Sequence, residues 1–571
     1  MSEHVLPWTA FYHKDTPASL SYYPKSMYRL FQDSCEKNPK SPCIDYMGRL
    51  LSYGEVQKQI SSVMAALQAE GVGPGDCISI CLPNIPEAVY LFYAVLGIGA
   101  VANMIHPLSA KQEIEYCVNL SESPLLFALD AFAPNALDLN CPCLRQTVFC
   151  SASESMSFPF KIGFAATKGR KIKKDGLFLW KSFLDFGKRH GTGKRRICQR
   201  KPEDPAAILY SGGTTGKQKG ILLSHLNFNA LAAQILAMGA PEYRSIKNLS
   251  IMAVLPMFHG FGLGVCIHSA VYAAGKIILV PMFNADSFAK TLKKKKPTFI
   301  AGVPTLYEAL LRKNRLKGID FSACHGIFCG GGRLPAALKH SFDQAIRPLG
   351  AKVQLREGYG LTECVTASAL MPIDSYREGS FGIPFPDTLY KIVEPGTMRE
   401  LSKGRQGEIC LCGPTVMLGY LKEQTETENV LKKHEDGKIW LHTGDLGYMD
   451  QDGFLYFTSR IKRMVKVSGY SVYPNQIEEV ISQCPCVSLC CVIGIPDDYK
   501  MNRLKAFVVL KDGFAPSLET EGQIRAYCRE HIAAYAKPKD FAFRKELPMT
   551  KVGKIAYTVL EEEERRAAAT R

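Results

Sequence analysis

YSGGTTGKQKG, residues Tyr210 to Gly220, crowds four glycines, two threonines and a serine into one turn directly after the apolar run Ala206 to Tyr210. Glycines let backbone N–H groups come close to an anion, hydroxyls add donors, and Lys217 and Lys219 bring positive charge. The turn therefore reads as a cradle for a polyphosphate, with Ser211, Gly212, Gly213, Thr214, Thr215, Gly216 and Lys219 as candidate ligands. It is not a Walker A loop, because Ser211 stands where that motif needs its first glycine and Gln218 follows Lys217 where it needs serine or threonine. A plain flexible loop is the competing reading of such a cluster.

Working outward, four more short apolar runs end in glycine- or proline-containing loops that lead towards helical patterns. They are Asn248 to Leu255, Thr298 to Val303, Gly326 to Cys329 and Lys352 to Leu355. Strand, loop and helix in repetition predict an α/β fold, with large parallel or mixed sheets and covering helices over residues 1–459. From about residue 455 the pattern changes to short alternating strands with helices at Gln476 to Ser482 and Gly522 to Ile532, which predicts a small α+β domain over 460–571. In open α/β sheets ligands collect beyond the carboxyl ends of the strands, so the loops PMFHGFG, GVPTLY, CGGGRLP and REGYGLTE are where chemistry is expected.

A chain of 571 residues with 46% hydrophobic and 22% charged residues is long enough for two domains and has the composition of a globular protein, not of a disordered or fibrous one. The opening MSEHVLPWTAFYHKD lacks the basic-then-apolar order of a secretory leader. The most apolar stretch, Phe261 to Leu279, is interrupted by His268, Gly275 and Lys276. A cytoplasmic location is the expectation, and twenty scattered cysteines suit that reducing compartment. The pairs Cys141/Cys143, Cys410/Cys412 and Cys484/Cys486 are too closely spaced for zinc sites. Of the net charge of +16, much falls between Lys161 and Lys201, which holds fourteen Lys/Arg against Asp175 and Asp185. A solvated loop is the plain reading of that run, and peripheral contact with an anionic membrane is the functional one, ahead of nucleic acid.

The Tyr210 to Gly220 loop resembles the phosphate-binding signature of the adenylate-forming superfamily, which includes acyl-CoA synthetases, firefly luciferases and peptide-synthetase adenylation domains. The usual form is YSSGTTGxPKG, so Gly212 and Gln218 depart from it; loss of the proline loosens the loop without removing donors. The resemblance continues in order along nearly the whole chain. In GYGLTE, Gly358 to Glu363, it implies that Tyr359 stacks on adenine beside Gly358, Thr362 bonds a phosphate oxygen and Glu363 holds Mg²⁺. A carboxylate-held cation there would offset the negative charge gathering as pyrophosphate leaves. In HTGDLGYMDQDGFLYF and the arginine beyond it, Asp445 would accept the ribose hydroxyls and Arg460 meet ribose or phosphate. In LPMTKVGKI, Lys554 would bridge the substrate carboxylate and the α-phosphate.

The resemblance further implies a pivot at Lys462, although Arg463 stands where the family often has an acidic residue, and a coenzyme A path along Ser468, Gly469 and Tyr470. It places Gly331 and Gly332 beside adenine and the acid, His259 as a gate, and Phe258, Phe261, Val303 and Tyr307 as walls of the acyl pocket. Taken singly, Glu363 reads as a helix-start carboxylate, Asp445 as a turn residue, Arg460 as a surface ion pair, His259 as a core histidine and Lys554 as a solvated lysine. Together they predict an acid–thiol ligase using ATP, Mg²⁺ and coenzyme A. The absence of charge from PMFHGFGLG favours a medium- or long-chain fatty acid. An aryl-acid ligase, an enzyme loading a carrier protein and an inactive nucleotide-binding scaffold stay open as alternatives.

Overall fold

The computed structural model of the chain describes residues 6–167, 169–191, 196–210, 218–467, 470–497, 501–550 and 555–569. Four of the five apolar runs form adjacent parallel strands of one nine-stranded sheet: Ser250–Ala253, Phe299–Gly302, Gly326–Cys329 and Leu355–Tyr359. Every residue of the first three is buried, as expected of parallel strands covered on both faces. The last was expected to end at Leu355. It begins there instead, because Ala369–Leu370 pairs antiparallel with Gly358 and Tyr359 and carries the strand through the GYG segment.

The run before the glycine-rich loop lies in a second, seven-stranded sheet. Pro205–Tyr210 is parallel to Val101–Met104 on one side and antiparallel to Gly220–Ser224 on the other, with Tyr210 opposite Gly220. The loop thus closes a hairpin before the expected helix begins, since Ile221 and Leu223 are buried as strand residues. That helix, His225–Gly239, does start at Ser224, whose hydroxyl accepts from the Asn227 N–H at 3.1 Å. Pro304 opens the helix Pro304–Leu311, where its missing N–H costs nothing. The lysine run Lys293 to Lys296 ends the helix Ala285–Lys295, and its last two members pair with Asp45 at 2.6 Å and Asp320 at 2.8 Å.

By contact density the described chain divides into two units. Of the described residues, the first takes those up to Tyr210 together with Lys219–Leu389 and Cys412–Leu441; the second takes Gln218, Tyr390–Leu411 and those from His442 onward. Within the second, Val487–Asp497, Met501–Leu510 and Asp540–Phe543 form a three-stranded sheet of longer strands than expected. Alternation along the strands builds two cores: Cys490, Val492, Ala506 and Val508 face the helices Pro474–Ser482 and Leu518–His531, while Cys491, Ile493 and Phe507 face Tyr557 and Leu560. The tail from Glu561, expected to fray, continues the helix Tyr557–Ala569 because Leu560 anchors its first turns. None of the twenty cysteines, all of them among the described residues, forms a disulfide. Among the described residues no helix is long and apolar enough to cross a membrane.

Candidate active site

In the first unit, the half-buried Glu363 is the middle residue of a short 3-10 turn, Thr362–Cys364, that follows directly on Leu361. Its Oε1 accepts from the Tyr420 hydroxyl at 3.0 Å, and its backbone oxygen accepts from the Met417 N–H at 2.8 Å. Lys219 lies over the Tyr420 ring, 4.6 Å from its centroid, and pairs with Glu426. Lys219, just before the strand Gly220–Ser224, and the turn carrying Glu363 are therefore joined through one tyrosine. The Lys219–Glu426 pair is partly exposed, so exchanging Glu426 for a phosphate costs little. Residues Ser211, Gly212, Gly213, Thr214, Thr215 and Gly216 lie outside the described residues.

The turn is held from both sides. Val365 and Thr366 have φ of 54° and 92°, which side chains rarely adopt, and buried Thr366 fills the space where neighbouring glycines lack a Cβ. A Cβ on Gly360 would lie 2.0 Å from the Thr366 carbonyl oxygen, and one on Gly260 would lie 2.3 Å from its hydroxyl. Glycine at 260 and 360 is thus required for the loop PMFHGFG to meet the loop GYGLTE. In the former, Nδ1 of the half-buried His259 accepts from the Phe261 N–H at 3.2 Å. Phe258 packs on His106 with centroids 4.2 Å apart. Phe261 is buried against Gly330, where a Cβ would approach its ring to 3.1 Å.

Gly331, at φ 77°, faces Val303, and Gly332 faces Pro304. Among the expected acyl-side residues the structure thus joins His259 to Phe261 and Gly331 to Val303, while Tyr307 is set apart. That residue is fully buried; its hydroxyl donates to the Phe328 carbonyl at 2.5 Å and its ring meets Phe342, so it belongs to the core and not to a wall. Tyr359 stacks on Phe381 with centroids 4.3 Å apart, and Thr362 is buried beside Glu363.

Two groups on the strand of Gly358 carry no local signal in the sequence. The buried Arg356 donates to the carbonyls of Met371, Gly239 and Met238 at 2.7–3.0 Å, tying the strand to the end of the helix His225–Gly239. Glu357 accepts from the Leu334 N–H at 3.0 Å, and desolvation pushes its carboxyl up from 4.5 to about 7. The native state then holds a proton that the unfolded chain has already released. This stabilisation is complete below pH 4.5 and is lost as pH rises through 7. Glu357→Gln, which keeps the acceptor for Leu334, is expected to flatten that slope, preserving up to about 3 kcal/mol at pH 8 relative to pH 4. Denaturant titrations across this range measure the difference, and identical slopes in both proteins would discount the residue.

In the second unit, Asp445 and Arg460 stand opposite each other on paired strands, with the buried Asp445 Oδ1 3.1 Å from Arg460 Nε. The strand segment just before Asp445, within Ile439–Met449, is held by buried Glu408, which accepts from the Gly444 N–H at 3.0 Å and meets His442 Nδ1 at 2.9 Å. Glu408 was not legible as a positioning residue, since it lies far from the TGD segment in sequence. The turn Asp450 to Gly453 is structural, with Asp450 accepting from the Asp452 and Phe454 N–H groups.

Lys462 is exposed, whereas Arg463 is bound on all sides: to Glu478 at 2.5 and 3.1 Å, to the Val492 carbonyl at 3.3 Å, and over the Tyr557 ring at 4.4 Å. The departure at position 463 is therefore an anchor of the small sheet's own packing. Val465–Val467 pairs antiparallel with Tyr470–Val472, with Tyr470 opposite Val467. Ser468, Gly469 and Lys554 lie outside the described residues.

The same unit holds a cleft of about 420 Å³ lined by Arg503, Arg525, Arg529, Lys537 and Lys539, with Tyr535 and Phe541 among its walls. Arg503 is offset by Asp540 at 3.2 Å and Arg525 by Glu521 at 2.7 Å, which leaves a strong cationic excess. Spread over residues 503 to 539, these side chains form no motif, and only folding gathers them.

The sequence model of the AMP-binding enzyme family matches residues 31–421, and that of the AMP-binding enzyme C-terminal domain matches residues 476–554. A long-chain-fatty-acid–CoA ligase of Bacillus subtilis is 33% identical over 98% of both chains. One of Escherichia coli O157:H7 is 31% identical over 98% of both. Among solved structures, an anthranilate CoA ligase in complex with anthranoyl-AMP superposes with a TM-score of 0.80 at 26% identity, over 96% of this chain and 98% of the other.

Proposed function

The chain belongs to the AMP-binding enzyme family, and from that premise we propose that it converts a carboxylic acid, ATP and coenzyme A to acyl-CoA, AMP and pyrophosphate, with a medium- or long-chain fatty acid as substrate. In the first step a carboxylate oxygen attacks the α-phosphorus and pyrophosphate leaves. In the second the thiol attacks the acyl carbon, AMP leaves, and the thiol proton passes to solvent. The observation that carries the reading is the joining of Glu363, Tyr420 and Lys219 beside the glycine-rich hairpin. It gathers a carboxylate, a phenol and an ammonium group where a triphosphate cradle needs them.

Glu363 fits Mg²⁺, because this ion takes one or two carboxylates and otherwise water and phosphate oxygens. Bound there, the ion would offset charge on the phosphates. The chain's own residues do the remainder. Lys219 and residues 211–216 bind the phosphates, Thr362 donates to a phosphate oxygen, and Tyr359 with Gly358, Gly331 and Gly332 receives the adenine. Asp445 accepts from the ribose hydroxyls once Arg460 turns to ribose or phosphate. Phe258, Phe261 and Val303 line the acyl path and His259 gates it. Lys554 orients the two anions that must meet.

For the thiol step we place the domain boundary at 459/460 and the pivot at Lys462. The anchored Arg463 supports this, since it is tied to Glu478, Val492 and Tyr557 of the small domain while Lys462 beside it is exposed. The path along Ser468, Gly469 and Tyr470 would carry the pantetheine arm. The cationic cleft is suited to the phosphates at the other end of coenzyme A, which favours that acceptor over a carrier protein. Lys537→Glu/Lys539→Glu is expected to raise KM for coenzyme A about tenfold, more at low salt, and to leave ATP–pyrophosphate exchange intact. A cytoplasmic setting suits twenty cysteines that form no disulfide.

Pyrophosphate release across a panel of fatty, aryl and amino acids, with and without coenzyme A, tests the proposal. Release with long-chain fatty acids and formation of their thioesters is expected. Preference for an aryl or amino acid, transfer only to a carrier protein, or no turnover with any acid would each replace it.

A further inference from the structure

The helix Phe158–Ala166 reads FPFKIGFAA, in which Lys161 is the single polar residue. A helix that is apolar all round ordinarily lies inside a protein. Here none of its residues is buried, and Phe158, Ile162 and Phe160 are 77%, 53% and 46% exposed. The helix is nevertheless seated. Ser157 Oγ donates to the Met47 carbonyl at 3.2 Å, and the Phe160 ring covers Gly48, where a Cβ would come within 2.9 Å of it. Its orientation is thus set by the hairpin turn at Met47 and Gly48, and the exposure of its apolar side chains is part of the fold.

A basic flank adjoins it. From Phe158 to Lys174 the chain carries six Lys/Arg and no carboxylate. The turn Gly169–Lys171 folds back on the helix, with Gly169 so close to Phe164 that a Cβ would sit 3.1 Å from its ring. Lys174 is paired with Asp130 at 3.3 Å, while Lys161, Arg170, Lys171 and Lys173 are exposed and have no carboxylate partner among the described residues.

We propose that this helix and its basic flank are a docking surface for a lipid bilayer bearing anionic headgroups. Exposed apolar side chains beside uncompensated cations match a membrane interface, where phenyl and alkyl groups enter the acyl boundary and cations stay among phosphates. A protein partner fits less well, because the cores of protein interfaces are depleted in lysine. The proposal rests on exposure and charge and holds whichever acid the enzyme activates.

Sedimentation of the full chain with vesicles tests it. Binding is expected to vesicles of phosphatidylcholine with phosphatidylglycerol, to weaken with added salt, and to be much weaker for phosphatidylcholine alone. Phe158→Asp/Ile162→Asp and Lys171→Glu/Lys173→Glu should each lower the partition coefficient about tenfold or more. All four side chains are exposed, so the unfolding midpoint and ATP–pyrophosphate exchange without vesicles should not change. The proposal is overturned if neither vesicle is bound, if both bind equally and the lysine variant has no effect, or if the same variants abolish self-association or RNA binding and leave vesicle binding untouched.

Discussion

Lys554→Ala is expected to cut carboxylate-dependent ATP–pyrophosphate exchange by about 10³-fold or more, while transfer of the acyl group from a supplied acyl-adenylate to coenzyme A stays close to the unsubstituted rate. Adenylation must bring a carboxylate against a triphosphate, and an ammonium group between the two anions acts most strongly as the new bond forms. Thiol attack on the finished adenylate has no such pair of anions to hold together. The split between half-reactions is therefore the diagnostic, measured by isotope exchange for the first and thioester formation for the second. Equal loss of both would assign Lys554 a general structural role. Lys554→Arg is expected to recover little, because a guanidinium has a different shape and spreads its charge.

Glu363→Ala is the other large expected effect, about 10²- to 10³-fold on the same exchange, with a higher Mg²⁺ concentration needed for half-maximal rate. Two comparisons separate this from damage to the turn. Tyr420→Phe removes the hydroxyl that donates to Oε1 at 3.0 Å yet keeps the ring under Lys219, so only a modest loss is expected. Glu363→Asp keeps the charge but draws it back by one carbon, and is expected to recover part of the rate at raised Mg²⁺. Were Tyr420→Phe as damaging as Glu363→Ala, the carboxylate would be serving the Tyr420 contact and not the cation.

The candidate site residues were legible in the sequence where their pattern is local. A glycine-rich turn after an apolar run, a carboxylate at the start of a short helical turn, and an aspartate beside a glycine each occupy a few consecutive residues, and their order along the chain carried the family resemblance. What was missed was mostly non-local. Tyr420 and Glu363 are 57 residues apart and meet through one hydrogen bond. Glu408 holds the strand at Gly444 from 36 residues away. Arg356 is buried and donates to three backbone carbonyls on two distant segments, which no window of sequence anticipates. Tyr307 shows the converse: an aromatic residue placed on a wall by proximity in sequence is drawn into the core by Phe328 and Phe342.

The sequence by itself determined the α/β class, the strands whose continuous apolarity demands burial on both faces, and the helix starts at Ser224 and Pro304. Those properties follow from side-chain type and short spacing, which act before distant parts of the chain meet. Tertiary structure alone decided that the glycine-rich loop closes a hairpin, that GYG lies on a strand, that five cations from a long stretch converge on one cleft, and that an apolar helix stays uncovered. Each of these depends on which distant backbone supplies hydrogen bonds and which surface is already occupied, and the local pattern of residues does not carry that information.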